Sequence, residues 1–416
     1  MQIDLGLRYP ADVKENRRMA TRARQDAEAN AGARGERADV RPLADIRLVS
    51  GNRMVALGAL ASGCRFFSGY PITPSSEIYQ AMIEELPRRG DLAVAAPDEI
   101  AALCACVGAS LAGYKAMTAT SGPGWCLMIE TVQYAVMTET PVVIAVVQRL
   151  GPSTGGATQG GQGDVLLTQF CTSGGYTIPV FAPSNARECY ELTRLAFSWS
   201  EHLRTPVVVL SDKEVGTTVE SVDMASLCCP AQPERVPFRG TGRYVPYECD
   251  CAGEPPPFAP VGAGNRVVAT GSAHDREGRI RKNAPEVIDL LLHLQAKVEQ
   301  HAEDMAVVEA DLVENAGTLL LSYGISARAA REACCRLRAS GVPVSFVQPK
   351  TLFPVPVSAL REAAGQCSQV VVVEENMNGL YASIIEPVFG CRRLVRVNGI
   401  GGMITPGRIV AAVERT

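Results

Sequence analysis

From Val49 to about Val215, short runs of β-branched and small apolar residues alternate with longer stretches whose apolar residues recur every three to four positions. The first pattern fits buried strands and the second amphipathic helices. The expected elements are a helix over Val55–Ser62, a strand over Phe66–Gly69, and helices over Glu77–Leu86 and Asp98–Leu111. Next come a strand over Lys115–Thr120, a helix over Cys126–Met137 and a strand over Pro141–Val147. Strand Thr177–Phe181, helix Ala186–Leu203 and strand Pro206–Leu210 complete this stretch. Strands alternating with helices predict a parallel sheet.

Residues 216–262 break the rhythm, with Pro230, Pro233, Pro237 and Pro255–Pro257 marking a linker or a wandering insertion. A long helical pattern occupies Asn283–Asp311. From Gly317 a second α/β unit begins: strand Thr318–Tyr323, helix Ala327–Ser340, strand Val344–Val347, helix Val357–Ala364, strand Gln369–Glu374 and a last helix over Pro406–Glu414. Residues 12–41 are rich in Arg, Asp, Glu and Ala and cannot build a core. They read as a solvated tail or as an arm that wraps a partner. The expected division is a charged arm over 1–45, a first α/β domain over 46–225, a linker and helical connection over 226–314, and a smaller α/β domain over 315–416.

A length of 416 residues suits more than one domain, and 47% hydrophobic residues can fill a large core. The net charge of −4 gives no basic stripe for nucleic acid and no polybasic segment for a membrane surface. The longest apolar runs are strand-length, and the start lacks a signal-peptide pattern, so a cytoplasmic protein is expected. Fourteen cysteines raise the question of iron–sulfur clusters. Their spacing (Cys104-x-Cys106, Cys249-x-Cys251, the pairs Cys228–Cys229 and Cys334–Cys335) contains no C-x-x-C run. No metal or cluster site is expected here. Cys104, Cys106 and Cys126 read as small core residues.

Four segments carry possible chemistry. Gly69-Tyr70-Pro71-Ile72-Thr73-Pro74-Ser75-Ser76 is a rigid connector with a hydroxyl at the carboxyl end of a strand, where open α/β sheets bind ligands; it also reads as a plain turn with Ser75 or Ser76 as helix cap. Asp98-Glu99 opens an apolar helix. The two acids either complement the helix dipole, or one of them is a buried carboxylate at a subunit interface, placed for a cofactor nitrogen. Thr118–Gly124 places hydroxyls and glycines after a strand, for a cofactor ring or for a tight turn. Gln148–Asp164 sets Arg149, a planar fork that matches a carboxylate, at the head of a glycine-rich loop; a surface salt bridge is the other use for it. None of the four histidines forms a metal-spaced pair.

Taken in order, these segments resemble the alpha subunit of the 2-oxoacid:ferredoxin oxidoreductases, the group that includes pyruvate, 2-oxoglutarate, branched-chain and phenylglyoxylate enzymes. Met137-Thr138-Glu139-Thr140-Pro141, Gly271–Gly278, Glu374-Glu375-Asn376-Met377-Asn378-Gly379 and Gly401–Pro406 extend the resemblance to nearly everything from Gly51 onward. It implies a thiamine-diphosphate-binding, pyrimidine-type parallel-sheet domain followed by a smaller transketolase-C-terminal-like α/β domain. It implies a multisubunit enzyme that oxidatively decarboxylates a 2-oxoacid with coenzyme A to acyl-CoA and CO2. Thiamine diphosphate would be shared with a beta subunit carrying the Mg2+ site. Iron–sulfur clusters, and a flavin where the acceptor is NAD, would lie on partner subunits of beta, gamma and delta type, with ferredoxin as the other acceptor. The chain alone would not turn over. By the same resemblance Glu99 hydrogen-bonds N1′ of the aminopyrimidine and activates the cofactor, and Tyr70 and Pro71 border it. Arg149 and Thr73 hold the substrate's carboxylate and oxo groups, and Thr158 is a second substrate-loop hydroxyl.

The chain departs from the family pattern in two places. Many relatives carry a proline before the residue matched to Thr158 and a charged residue after it; here the stretch is Gly156-Ala157-Thr158-Gln159-Gly160-Gly161. A distal carboxylate wants a second cation, and the loop offers none beyond Arg149. This favours an apolar or aromatic 2-oxoacid such as phenylglyoxylate, with 2-oxoglutarate or pyruvate as the alternatives. The charged N-terminal arm is the other departure. A scaffold subunit that has lost its chemistry is a further alternative, opposed by the joint presence of Glu99, Thr73 and Arg149.

Overall fold

In chain order the strands are β1 (Ile46–Ser50), β2 (Phe66–Gly69), β3 (Leu92–Ala95), β4 (Ala116–Thr120), β5 (Val142–Gln148), β6 (Val180–Phe181), β7 (Pro206–Asp212), β8 (Val219–Asp223), β9 (Val308–Asp311), β10 (Thr318–Ser322), β11 (Val344–Pro349), β12 (Thr351–Phe353), β13 (Gln369–Glu374) and β14 (Arg393–Asn398). They belong to a computed structural model that describes residues 45–227 and 234–415. Apart from Asp45, the expected charged arm lies outside the described residues, as do Cys228, Cys229, Pro230 and Pro233.

The larger sheet has the order β12-β6-β7-β5-β4-β2-β3, and all its pairs are parallel except β12 with β6. Along β5, Val143, Ala145 and Val147 face one apolar layer; Ile144 and Val146 face the other. A strand covered on both faces must be apolar throughout, and all of β5 is buried. The smaller sheet, β14-β13-β10-β11-β9, is parallel except for β9. The layer that holds Ile144 and Trp125 continues into Leu319, Phe353 and Tyr381, so both units share one core. No helix among the described residues is long and apolar enough to cross a membrane. The architecture is the expected pairing of a parallel-sheet domain with a smaller α/β unit.

Several elements differ from their sequence pattern. The first helix runs Gly51–Ala61, a turn earlier than its apolar run, because the Ser50 hydroxyl accepts from the Arg53 N–H at 3.1 Å. Gly51 and Gly58 let it pack tightly: a Cβ on Gly51 would lie 2.2 Å from the Val215 carbonyl oxygen, and one on Gly58 2.7 Å from that of Tyr190. The helical pattern over Asn283–Asp311 is a helix only over Pro285–Glu299. Beyond it the chain turns and enters β9, an edge strand on β11. Strands β3, β8, β12 and β14 were not expected; each is short or at a sheet edge, where periodicity is weakest. In β12 the second unit gives a strand to the first sheet, and Lys350 Nζ reinforces the seam with an ion pair to Glu188 at 2.9 Å.

A buried carboxylate helps to hold the connecting segment. Glu139 follows the helix Gly122–Met137. It accepts from Lys297 Nζ at 2.7 Å and His293 Nε2 at 3.1 Å. His293 Nδ1 in turn accepts from the Gly253 N–H at 3.1 Å. Burial opposes the charge on Glu139, but Lys297 and His293 outweigh it and hold the carboxyl well below the usual carboxylate range. Burial likewise pulls the Lys297 ammonium down, against the attraction of Glu139. The Met-Thr-Glu-Thr-Pro phrase thus has a structural use. Lys297→Met deprives the buried Glu139 of its hydrogen-bonded ammonium, which costs up to about 3–5 kcal/mol; thermal unfolding followed by circular dichroism should show a drop of several degrees.

Candidate active site

The parallel strands all point their carboxyl ends to one edge of the large sheet, and the expected site residues are there. Tyr70, Pro71 and Thr73 follow β2, Glu99 follows β3, Ser121–Gly124 follow β4 and Arg149 follows β5. The chain steps from β2 outward to β3, then back across to β4 and on to β5. That reversal makes the gap between β2 and β4 a topological switch point, where open α/β sheets bind ligands.

Asp98 caps the helix Glu99–Leu111 by accepting from the Ala101 N–H at 2.7 Å. This separates the two acids that the sequence left equivalent: Asp98 is exposed and serves the helix, and Glu99 is buried with 6% exposure. Among the described residues no hydrogen bond reaches the Glu99 carboxylate, so it is available to a ligand. It lies against the turn after β4. A Cβ on Gly124 would be 2.2 Å from Thr120 Oγ1 and 2.6 Å from Glu99 Oε1. Only glycine lets the turn pack this closely against the Glu99 side chain. The Ser121 hydroxyl beside it is buried and has no partner among the described residues. A buried carboxylate with no partner among the described residues fits the polar edge of an aminopyrimidine ring.

Thr73 and Arg149 come together: the guanidinium Nη1 donates to the Thr73 carbonyl oxygen. Arg149 is buried and its Nε has no partner among the described residues, whereas Thr73 is exposed. Tyr70 is 40% exposed and Pro71 is also exposed, beside the switch point. Ser75 stands at the helix N-terminus, but its hydroxyl donates to the Ile72 carbonyl and caps nothing. After Arg149 the loop folds on itself, Leu150 bonding to Gly156 and Gln159, and carries Thr158 on an exposed turn.

Two loop residues escaped the sequence reading. Asp164 is bound through its N–H to the Gln148 side chain at 3.0 Å, and both of its carboxylate oxygens would lie 2.9 Å from a Cβ on Gly122. Burial pushes its carboxyl up to about 6, against the pull of Arg149. Gln162 is fully buried at the seam with the second unit. Neither had a local signal beyond the loop's glycines.

A correction concerns Cys104 and Cys126, expected in the core: Cys106 is buried, but Cys104 and Cys126 are exposed. They lie on the outer faces of two neighbouring helices with Ile100 and Leu127, 47% and 50% exposed. The pattern marked these faces as apolar but not what they face.

Comparison with known proteins places the arrangement. Residues 57–292 match the family described as pyruvate flavodoxin/ferredoxin oxidoreductase, thiamine diP-bdg, and residues 316–410 match pyruvate:ferredoxin oxidoreductase core domain II. The 2-oxoglutarate synthase subunit KorA of Methanothermobacter marburgensis is 38% identical over 86% of this chain and 95% of its own length. The chain belongs to the 2-oxoacid:ferredoxin oxidoreductases. It is an alpha subunit of these CoA-acylating, oxidatively decarboxylating enzymes. The solved 2-oxoglutarate:ferredoxin oxidoreductase of Magnetococcus marinus superposes with a TM-score of 0.85 at 31% identity, covering 94% of this chain and 69% of that one. An inactive split-gene transketolase, at a TM-score of 0.50 and 15% identity over 88% of this chain and 95% of that one, shares the fold alone. The lean toward phenylglyoxylate finds no support in these relatives. It rested on the loop's own lack of a second cation, but a cation outside the loop stands near it. Lys213, at the end of β7, pairs with Glu214, whose Oε1 would lie 3.1 Å from a Cβ on loop residue Gly160.

Asp164 gives this site a pH signature. Its folded pKa lies above the ordinary 3.8, so the fold tolerates the protonated form better. Its contribution is fully present below pH 3.8 and is lost as pH rises through 6. Asp164→Asn should therefore raise Tm by a few degrees at pH 8 and leave it unchanged below pH 3.8.

Proposed function

We propose that this chain is the alpha subunit of a 2-oxoglutarate:ferredoxin oxidoreductase, which converts 2-oxoglutarate and coenzyme A to an acyl-CoA and CO2. The observation that carries the reading is the joining of Thr73 and Arg149 at the carboxyl edge of the sheet that also carries the unpartnered Glu99 carboxylate. Names borne by relatives alignable over most of this chain support the substrate and acceptor.

In this reading residues 46–225 form the pyrimidine-binding domain, 226–314 the connection and 315–416 the transketolase-C-terminal-like domain. Glu99, with Tyr70 and Pro71 at its border, would hold the aminopyrimidine of thiamine diphosphate. When bound, the cofactor supplies the carbon nucleophile for the 2-oxo carbon and takes up the electron pair that CO2 leaves behind. The protein's own work is orientation and charge. Glu99, unpartnered and buried, accepts a hydrogen bond from the ring. Arg149 presents its free donors to the C1 carboxylate, and Thr73 and Thr158 offer hydroxyls to the oxo group and the substrate chain. The chain has no Gly-Asp-Gly…Asn motif for a diphosphate and Mg2+. A beta subunit therefore provides that half of the cofactor site, docking on the apolar face formed by Ile100, Cys104, Cys126 and Leu127. Iron–sulfur clusters on partner subunits carry electrons to ferredoxin. The 2-oxoglutarate distal carboxylate finds its cation outside the loop, at Lys213 or on the partner. The described cysteines are all free thiols, as a reducing cytoplasm allows.

The test is the reconstituted complex, assayed for CoA-dependent reduction of ferredoxin with 2-oxoglutarate, pyruvate and phenylglyoxylate. A preference for 2-oxoglutarate is expected; a preference for phenylglyoxylate would reverse the substrate assignment. Glu99→Gln keeps the side chain's size and loses its charge, and should lower turnover about 10²–10⁴-fold with assembly intact. Wild-type C2 proton exchange of bound thiamine in that variant would reduce Glu99 to a helix-opening acid. Arg149→Lys keeps the charge but loses the planar fork. It should lower kcat/KM roughly ten- to a hundredfold for every accepted 2-oxoacid in similar proportion; a changed order of preference would instead make Arg149 a side-chain reader.

A further inference from the structure

One stretch of the substrate loop is anchored chiefly in the other unit. Between its self-closed turn and Asp164, the loop passes Gln162, a residue with no exposed surface. Its backbone N–H donates to the Glu375 carbonyl at 2.8 Å, and its carbonyl accepts from Asn376 Nδ2 at 3.2 Å. Its side-chain Nε2 donates to the Tyr323 carbonyl at 3.1 Å and to Asp212 Oδ2 at 3.3 Å. Its Oε1 accepts from Ser326 Oγ at 2.9 Å and from the Glu375 N–H at 2.8 Å. Both donors and both lone pairs of the amide are thus used. The partners also fix which end is oxygen, since a carbonyl and a carboxylate face one side and a hydroxyl and an N–H the other.

The seam leaves no slack. At Gly324, with φ of +57°, a Cβ would lie 2.4 Å from Gln162 Nε2 and 2.6 Å from Asp212 Oδ2. Asp212 also accepts from the Ile325 N–H at 2.8 Å, so the end of β7 is tied to the same turn. Moving the loop at Gln162 means breaking a buried, saturated set of hydrogen bonds, each of which leaves an unpaired polar group behind. Toward its start the same loop carries Arg149 and Thr158. We propose that Gln162 is a positioning residue: through it the second α/β unit, which supplies none of the proposed substrate contacts, sets where the substrate loop stands. This rests on the assignment of that loop to the 2-oxoacid.

The experiment uses the reconstituted complex with Gln162→Leu and Ser326→Ala, separately and together. Gln162→Leu should raise the 2-oxoacid KM about tenfold or more, with kcat within about threefold. C2 proton exchange of bound thiamine should stay at the wild-type rate, because Glu99 lies on another element. Ser326→Ala, acting from the second unit without altering the loop, should raise KM less and add nothing in the Gln162→Leu background. An unchanged KM with kcat falling only as the folded complex is lost, or additive effects of the two changes, overturns the proposal. Hydrogen–deuterium exchange of residues 150–161 reads the anchoring without any activity. Faster exchange in Gln162→Leu is expected, and unchanged exchange overturns it. A wild-type complex that oxidises no 2-oxoacid sinks the functional reading instead, while the exchange measurement still decides whether Gln162 anchors the loop.

Discussion

A buried parallel strand has to hand its first charged residue to something at its end. In β5 every residue is covered, and the chain leaves it at Arg149, itself buried. A guanidinium there needs acceptors or it costs more than the fold can bear. The Thr73 carbonyl, at the end of a connector two strands away, provides one. That single contact ties the segments after β2 and β5 together; in the proposed reading the rest of the guanidinium is left for a carboxylate ligand.

The same economy recurs at Glu99 and Glu139 with opposite results. Glu139 is buried and surrounded by Lys297, His293 and Arg204, so its charge is spent on holding the connecting segment. Glu99 is nearly as buried, but its carboxylate has no hydrogen-bond partner among the described residues and packs against Gly124. A carboxylate in such a place is incomplete without a ligand, and functional sites are where proteins leave polar groups in this condition.

The two units behave as one body. They share a core layer, exchange strand β12 and meet at Gln162. The apolar faces around Cys104 and Cys126 point outward, at the edge where the site opens. A subunit docking there would bury them and complete the cofactor cleft together.

Much of the fold was legible because it is decided locally. The helix Ala186–Leu203 was read to the residue: its amphipathic period is strong, and Asn185 caps it by accepting from the Glu188 N–H. Strand Gln369–Glu374 and helix Pro406–Glu414 were equally clear, one as an apolar run ended by polar residues and the other through a cap and proline at its start. The motifs identified the family, and with it the cofactor class. Tertiary structure alone decided the rest. Strand β12 exists because β6 lies open beside it, a fact absent from its three residues. Cys104 and Cys106 share one helix, yet only the packing makes one outer and the other core. Asp98 and Glu99 were chemically equivalent in sequence until the helix began between them and turned one to its cap and the other into the cleft. Gln162 carried no signal of its own, since most of its partners are more than 150 residues away in the second unit. Periodicity and capping depend on neighbours within a turn or two of chain; what a side chain faces depends on residues that only the folded chain brings near.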